Sequence, residues 1–389
     1  MKTRNIDAAL SALIAGSTAL ACGGSNDSTT TAAGGSIQFT ASGEVLALGG
    51  YDFPPATEDD PAYVDGWEVK YSKFLVTIDH VTLSESPDTS PSDQSKTGKV
   101  VAQIDGPWAI DLHRGGDLEG KGGSDEQAYP LETLDNQNKN GGKAFDPTLR
   151  YAFGFDVVPA TSAATKLQFD ANDPDYAEMV AKGWAVLYVG TATFKGTNCS
   201  SSDPNFDFSK LPTKVNFRLG FKSPTTYVNC QNPDNDPADP LGEEEHQRGV
   251  QVKANQVVTA QVTMHTDHPF WDSFVHESPA HFDQLAALAV KDAQNNYSVT
   301  VENAVGVNYT AFKFGAAPLP WRSCLDSFTP PNTNAQMGFD SLTVPYNPSG
   351  NAATSMRDYA DYMTYNQSTQ GHLNSDGLCF VDRHYPSPP

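Results

Sequence analysis

Residues Met264 to Gln284 read M-H-T-D-H-P-F-W-D-S-F-V-H-E-S-P-A-H-F-D-Q and carry four of the chain's nine histidines: His265, His268, His276 and His281. A neutral imidazole presents a ring-nitrogen lone pair to transition metals, and copper and zinc are the ions it suits best. Asp267 and Glu277 stand beside the histidines as extra ligands or as groups that orient them. Met264 adds a soft thioether of the kind that favours Cu(I). The spacing matches neither the His-Glu-x-x-His pattern of zinc proteases nor a zinc finger. Two readings therefore stand open: a metal centre, or histidines that lie on the surface or satisfy buried backbone groups near a strand-helix junction.

The elements that position these residues follow from pattern. Val258, Ala260, Val262 and Met264 alternate with Thr259, Gln261, Thr263 and His265, which predicts a strand with His265 at its end, facing away from Met264. Ser278-Pro279 has the form of a helix N-cap followed by proline at the first helical position. It predicts a helix over 279–291 with His281 in the first turn, where the positive end of the helix disfavours imidazolium. His372 and His384 join the cluster if the chain end folds back onto it.

A chain of 389 residues can bury a full core, and a net charge of −22 excludes nucleic acid and anionic membrane surfaces as partners. Abundant Gly, Pro, Asn, Asp, Ser and Thr between short apolar runs point to a turn-rich, mainly β protein. Strand-like runs fall at 37–48, 67–83, 99–104, 108–112, 151–158, 166–169, 185–194 and 214–221, with 113–146 read as one long loop and short helices expected at 173–182 and 356–365. No fixed repeat and no alternation of strand with helix occurs. The fold class expected is an elaborated β-sandwich over 36–302 with long loops and one short helix after the His-rich turn. Residues 303–389 form an irregular, aromatic-rich layer packed on it.

After Cys230 the sequence is dense in hard oxygen donors, with Asp234, Asp236 and Asp239 as candidate calcium ligands. The spacing departs from the EF-hand loop, and such runs are also common as solvated turns.

There are five cysteines. Cys22 stands apart, leaving Cys199, Cys230, Cys324 and Cys379 as an even set. Nearest-neighbour pairing predicts disulfides Cys199–Cys230 and Cys324–Cys379, one of three connectivities that four cysteines permit. Lys2 and Arg4 precede an apolar segment from Ala8 to Ala21, too short for a membrane span, which reads as a signal peptide over 1–21. Ala19-Leu20-Ala21-Cys22 resembles the processing site of bacterial lipoproteins. That resemblance implies a lipid on Cys22, a flexible tether over 22–35, and a place in the bacterial cell envelope, at the outer membrane.

The layout as a whole, an exported β-sandwich with four cysteines, histidines and tryptophans, resembles the copper-binding proteins found with methanobactin and di-haem partners. This resemblance implies copper and an envelope redox partner, and it carries over no individual residue. Motifs for serine hydrolases, phosphate-binding loops and dinucleotide sites are absent. Three functions remain, in this order: a non-catalytic copper or zinc binder, a surface structural or adhesive module for a glycan or protein partner, and a metal-dependent hydrolase. The last would use His265 and His268 with Asp267 or Glu277 as acid-base group.

Overall fold

The computed structural model describes residues 34–235, 246–331, 334–342, 344–351 and 354–385. Cys22, Asp236 and Asp239 lie outside them.

The protein is mainly β, and its strands form two principal sheets. The smaller is built on β1 (Ser36–Ser42), and the larger on the long strand β2 (Trp67–Ser84). β3 (Gly123–Leu134) flanks β1 antiparallel. β4 (Arg150–Val157) and β5 (Val186–Phe194) flank β2, β6 (Lys214–Phe221) lies beyond β5, and β7 (Thr225–Val228) lies beyond β4. β8 (Val257–Met264) runs parallel to β1, with Ser36 opposite Val257 and Ser42 opposite Thr263. Near the chain end, β9 (Gly371–Leu373) and β10 (Gly377–Leu378) complete one edge of the small sheet. β11 (Phe380–Arg383) crosses to the large sheet and pairs with β7.

The two sheets meet over a continuous apolar core in which Phe39 of β1 approaches Phe153 of β4, with ring centroids 6.4 Å apart. A full complement of buried aromatics from both sheets, each removing 150 Å² or more from water, dominates this burial. The sandwich expected from alternation is the architecture found.

Three local expectations need correction. The segment 113–146 contains a strand at 118–120 and β3, and is not one loop. β3 hides from an apolar pattern because its buried face carries Glu126 and Ala128, with Glu126 accepting a hydrogen bond from Gln261 at 2.6 Å. The run 37–48 ends as a strand at Ser42 and continues as helix α1 (Glu44–Gly49). Asp173 caps helix α2 (Pro174–Lys182), which ends on left-handed Gly183 much as its sequence indicates.

The third correction concerns the helix after the His-rich turn. It is α3 (Asp283–Leu288), and Ser278 does not cap it, because that hydroxyl is engaged with Ser273 Oγ and Val275 O at 2.5 Å each. Ala280 is instead extended, bridging Tyr63 and Trp271. The cap comes from far away in sequence: Asp65 Oδ2 accepts the backbone N–H groups of Phe282 and Asp283, both at 2.7 Å. Asp283 in turn accepts from Trp67 Nε1 at 2.8 Å and from Arg322 Nε at 2.8 Å.

The disulfides join Cys199 to Cys324 and Cys230 to Cys379, spanning 125 and 149 residues. The four cysteines are those expected, but nearest-neighbour pairing fails because β-pairing brings distant segments together. Ser200–Ser201 pairs with Arg322–Ser323, and Gln231 N donates to Leu378 O. Closing loops this long stabilises by about 5 kcal/mol each in the chain-entropy account. Two disulfides fit a non-reducing compartment. No helix among the described residues is long and apolar enough to cross a membrane.

Candidate metal centre

The parity of β8 and β9 decides which side chains can meet. Met264 lies opposite Gly371, and a Cβ on Gly371 would come within 2.6 Å of the Tyr227 ring, so this pair faces the core between the sheets. Thr263 and His372, the next pair, face the other way, and so does His265 one residue past Met264. Met264 is thus buried on the wrong face to ligate with His265. On the outer face the His265 and His372 rings stack with centroids 4.1 Å apart.

His268 opens a single 3-10 turn, His268–Phe270, in which Phe270 packs against Tyr63 and Phe282 and so anchors the turn. His276 hangs from the loop that returns toward Ala280. Together His265, His268, His276 and His372 bring one donor nitrogen each to within 4.8 Å of all the others. Tetrahedral bonds of about 2.0 Å require donors roughly 3.3 Å apart, so shifts of about an ångström close the group onto an ion.

The state of these nitrogens is the telling feature. The Nε2 atoms of His265, His268 and His276 and both ring nitrogens of His372 are buried without a hydrogen bond. Buried polar atoms are rarely left so, and each costs about 1–3 kcal/mol in the absence of a partner. His268 Nδ1 is held by Thr369 Oγ1 at 2.6 Å, which leaves Nε2 as the donor toward the cluster. Burial, reinforced by the neighbouring imidazoles, holds His268 and His372 well below the usual histidine range, and burial also lowers His276. These three are held in the neutral form, the one that can bind a metal ion, at physiological pH. Burial works the same way on His265, but the Glu44 carboxylate, 3.4 Å from its Nε2, outweighs it and raises that imidazole to about 9.

The remaining sequence candidates are placed elsewhere. His281 is not in the cluster: its Nε2 meets Asp272 Oδ2 at 3.0 Å, and its ring sits among Trp321, Phe328 and Phe339. The lost helical turn is the reason, since an extended Ala280 turns residue 281 away. Asp267 accepts from Trp271 Nε1 at 3.0 Å and so fixes the indole, which stacks on His268 at 3.7 Å. Glu277 is exposed, 4.0 Å from His276 Nδ1. Asp234 pairs with Lys121 at 2.6 Å and accepts from Asn374 at 3.2 Å, so a cation would have to displace both. His384 is bound to Thr226 Oγ1 at 2.9 Å, far from the role considered for it, whereas the chain end does fold back to deliver His372.

Glu44 and Asp376 complete a second group with His265 and carry no local signature that a sequence could reveal. No family model matches the chain, and neither a curated protein nor a solved structure shows significant similarity to it.

Proposed function

We propose that this chain is a non-catalytic metal-binding protein of the bacterial cell envelope that holds one copper or zinc ion on His265, His268, His276 and His372. The observation that carries the reading is four converging imidazoles, of which His268 and His276 hold a buried Nε2 and His372 two buried ring nitrogens without a hydrogen bond, while His265 Nε2 faces Glu44 at 3.4 Å. An all-imidazole set suits copper and zinc and is poor for magnesium or calcium. Four protein donors fill a tetrahedral shell, the arrangement of a site that holds an ion without leaving a position for substrate. The disulfides agree with export, and the Ala19-Leu20-Ala21-Cys22 sequence supports a lipid anchor.

The reading is tested by elemental analysis of protein prepared without chelator, followed by copper(II) and zinc titration of the metal-free protein. One ion per chain is expected, and His268→Ala with His372→Ala together should weaken binding by at least about 100-fold. Unchanged affinity in that double variant would overturn the site.

One observation favours the second reading, a surface module. A cleft of about 920 Å³, lined in part by Trp184, Lys222, Tyr365, Arg383, His384 and Tyr385, includes none of the four clustered histidines and has the size of a small-ligand site. Against it, Phe339, Tyr359 and Tyr362 of the C-terminal layer are buried in the core and present no platform.

A further inference from the structure

His265 belongs to two groups at once. With Glu44 and Asp376 it forms a second set whose ligand atoms also lie within 4.8 Å of one another. The two sets differ in depth: His268 and His372 are fully buried, His265 and Glu44 keep 13% and 16% of their side chains exposed, and Asp376 stands in solvent. They differ in chemistry too. The inner set is all nitrogen, while the outer offers two carboxylates and one imidazole, donors that accept a divalent ion still carrying some of its water.

The outer donors are placed by structure. Glu44 opens α1, and Ser375 Oγ donates to its Oε1 at 2.7 Å, which leaves Oε2 facing His265. Ser375 and Asp376 lie in the turn between β9 and β10, and β9 carries His372. One short turn therefore serves both sets.

We propose that Glu44, His265 and Asp376 form a capture position for a partly hydrated divalent transition-metal ion, which then passes inward to the four imidazoles through the shared His265. This rests on the inner site proposed above. The carboxylates supply negative charge at the mouth of the site, in a chain of net charge −22, and so raise the local concentration of cations. As the ion moves inward, carboxylate bonds are exchanged for bonds to His268, His276 and His372, so it need never return to bulk water.

The test follows copper(II) loading of metal-free protein by quenching of Trp271 fluorescence, since that indole stacks on His268. Asp376→Asn should slow second-order loading about tenfold at low salt, less at high salt, and change the equilibrium affinity by less than about twofold. The double variant His268→Ala, His372→Ala should still bind one zinc ion weakly, and lose it when Asp376→Asn is added. Loading of Asp376→Asn at the wild-type rate, or a double variant that binds no zinc, overturns the capture position while leaving the inner site standing. Wild-type protein that binds no metal overturns both.

Discussion

At the scale of single residues, the informative contrast is between His265 and the other three imidazoles. A proton and a metal ion compete for the same lone pair. His268, His276 and His372 have already lost that competition to burial and are ready as ligands, whereas His265, raised to about 9 by Glu44, carries a proton at neutral pH. Binding must displace it. The sign follows directly: below about 9 the apparent affinity rises about tenfold per pH unit, and above 9 it levels off. Competition titrations between pH 6.5 and 9.5 should show that slope, and Glu44→Gln should flatten it, because burial, the largest influence on His265, then opposes only the weaker pull of Asp267 and Asp376. A wild-type slope of zero across this range would mean that His265 is neutral or is no ligand. Of these four ligands, three were visible in the sequence as a local concentration of one residue type. His372, 96 positions beyond His276, could be named only as a conditional member, since the return of the chain end is what places it.

At the scale of elements, the start of α3 is held by a side chain from a different part of the chain. Asp65 takes two backbone N–H groups there, and its carboxyl is pushed up to about 7 by burial and by the charge of Asp283. A carboxyl raised in the folded state binds its proton more tightly than in the unfolded chain. Its contribution to stability is therefore fully present below the unfolded value, near 4, and is lost as pH rises through 7. Asp65→Ala should cost about 2–4 kcal/mol by orphaning both donors. Asp65→Asn keeps an acceptor and should remove most of the fall in stability between pH 4 and 7. Urea denaturation at pH 5 and pH 8 measures both effects, and an Asp65→Ala variant as stable as wild type would show that the cap is supplied by another group. This cap also explains what sequence pattern missed. Ser278-Pro279 satisfies every local rule for a helix start, yet its hydroxyl is engaged by Ser273 and Val275, and local rules do not see such competition. β3 was hidden for a related reason, since a buried Glu126 paired with Gln261 leaves no apolar alternation to read. Strands whose buried faces are apolar, such as β2, β5 and β6, were legible almost to the residue.

At the scale of the whole molecule, cysteine parity connects fold and location. The two disulfides use Cys199, Cys230, Cys324 and Cys379, four of the five cysteines, and each ties together segments far apart in sequence that backbone pairing sets side by side. Pairings of this span could not be chosen from sequence, where three connectivities were equally allowed. The arithmetic nonetheless leaves Cys22 as the odd residue, at the end of Ala19-Leu20-Ala21-Cys22. A free thiol in an oxidising compartment invites intermolecular disulfides, whereas a thioether to lipid removes the thiol and supplies an anchor. A single acyl chain gives only marginal membrane binding, and stable anchoring needs at least a second. The expected outcome is a membrane-extracted protein whose intact mass corresponds to a chain beginning at Cys22 and carrying more than one acyl chain. Cys22→Ser protein should move to the soluble fraction with both disulfides intact, because Cys22 takes part in neither. A Cys22→Ser variant that stays membrane-bound, or a mature chain that begins at another residue, would refute the anchor while leaving the histidine centre, which lies wholly within the folded sandwich, untouched.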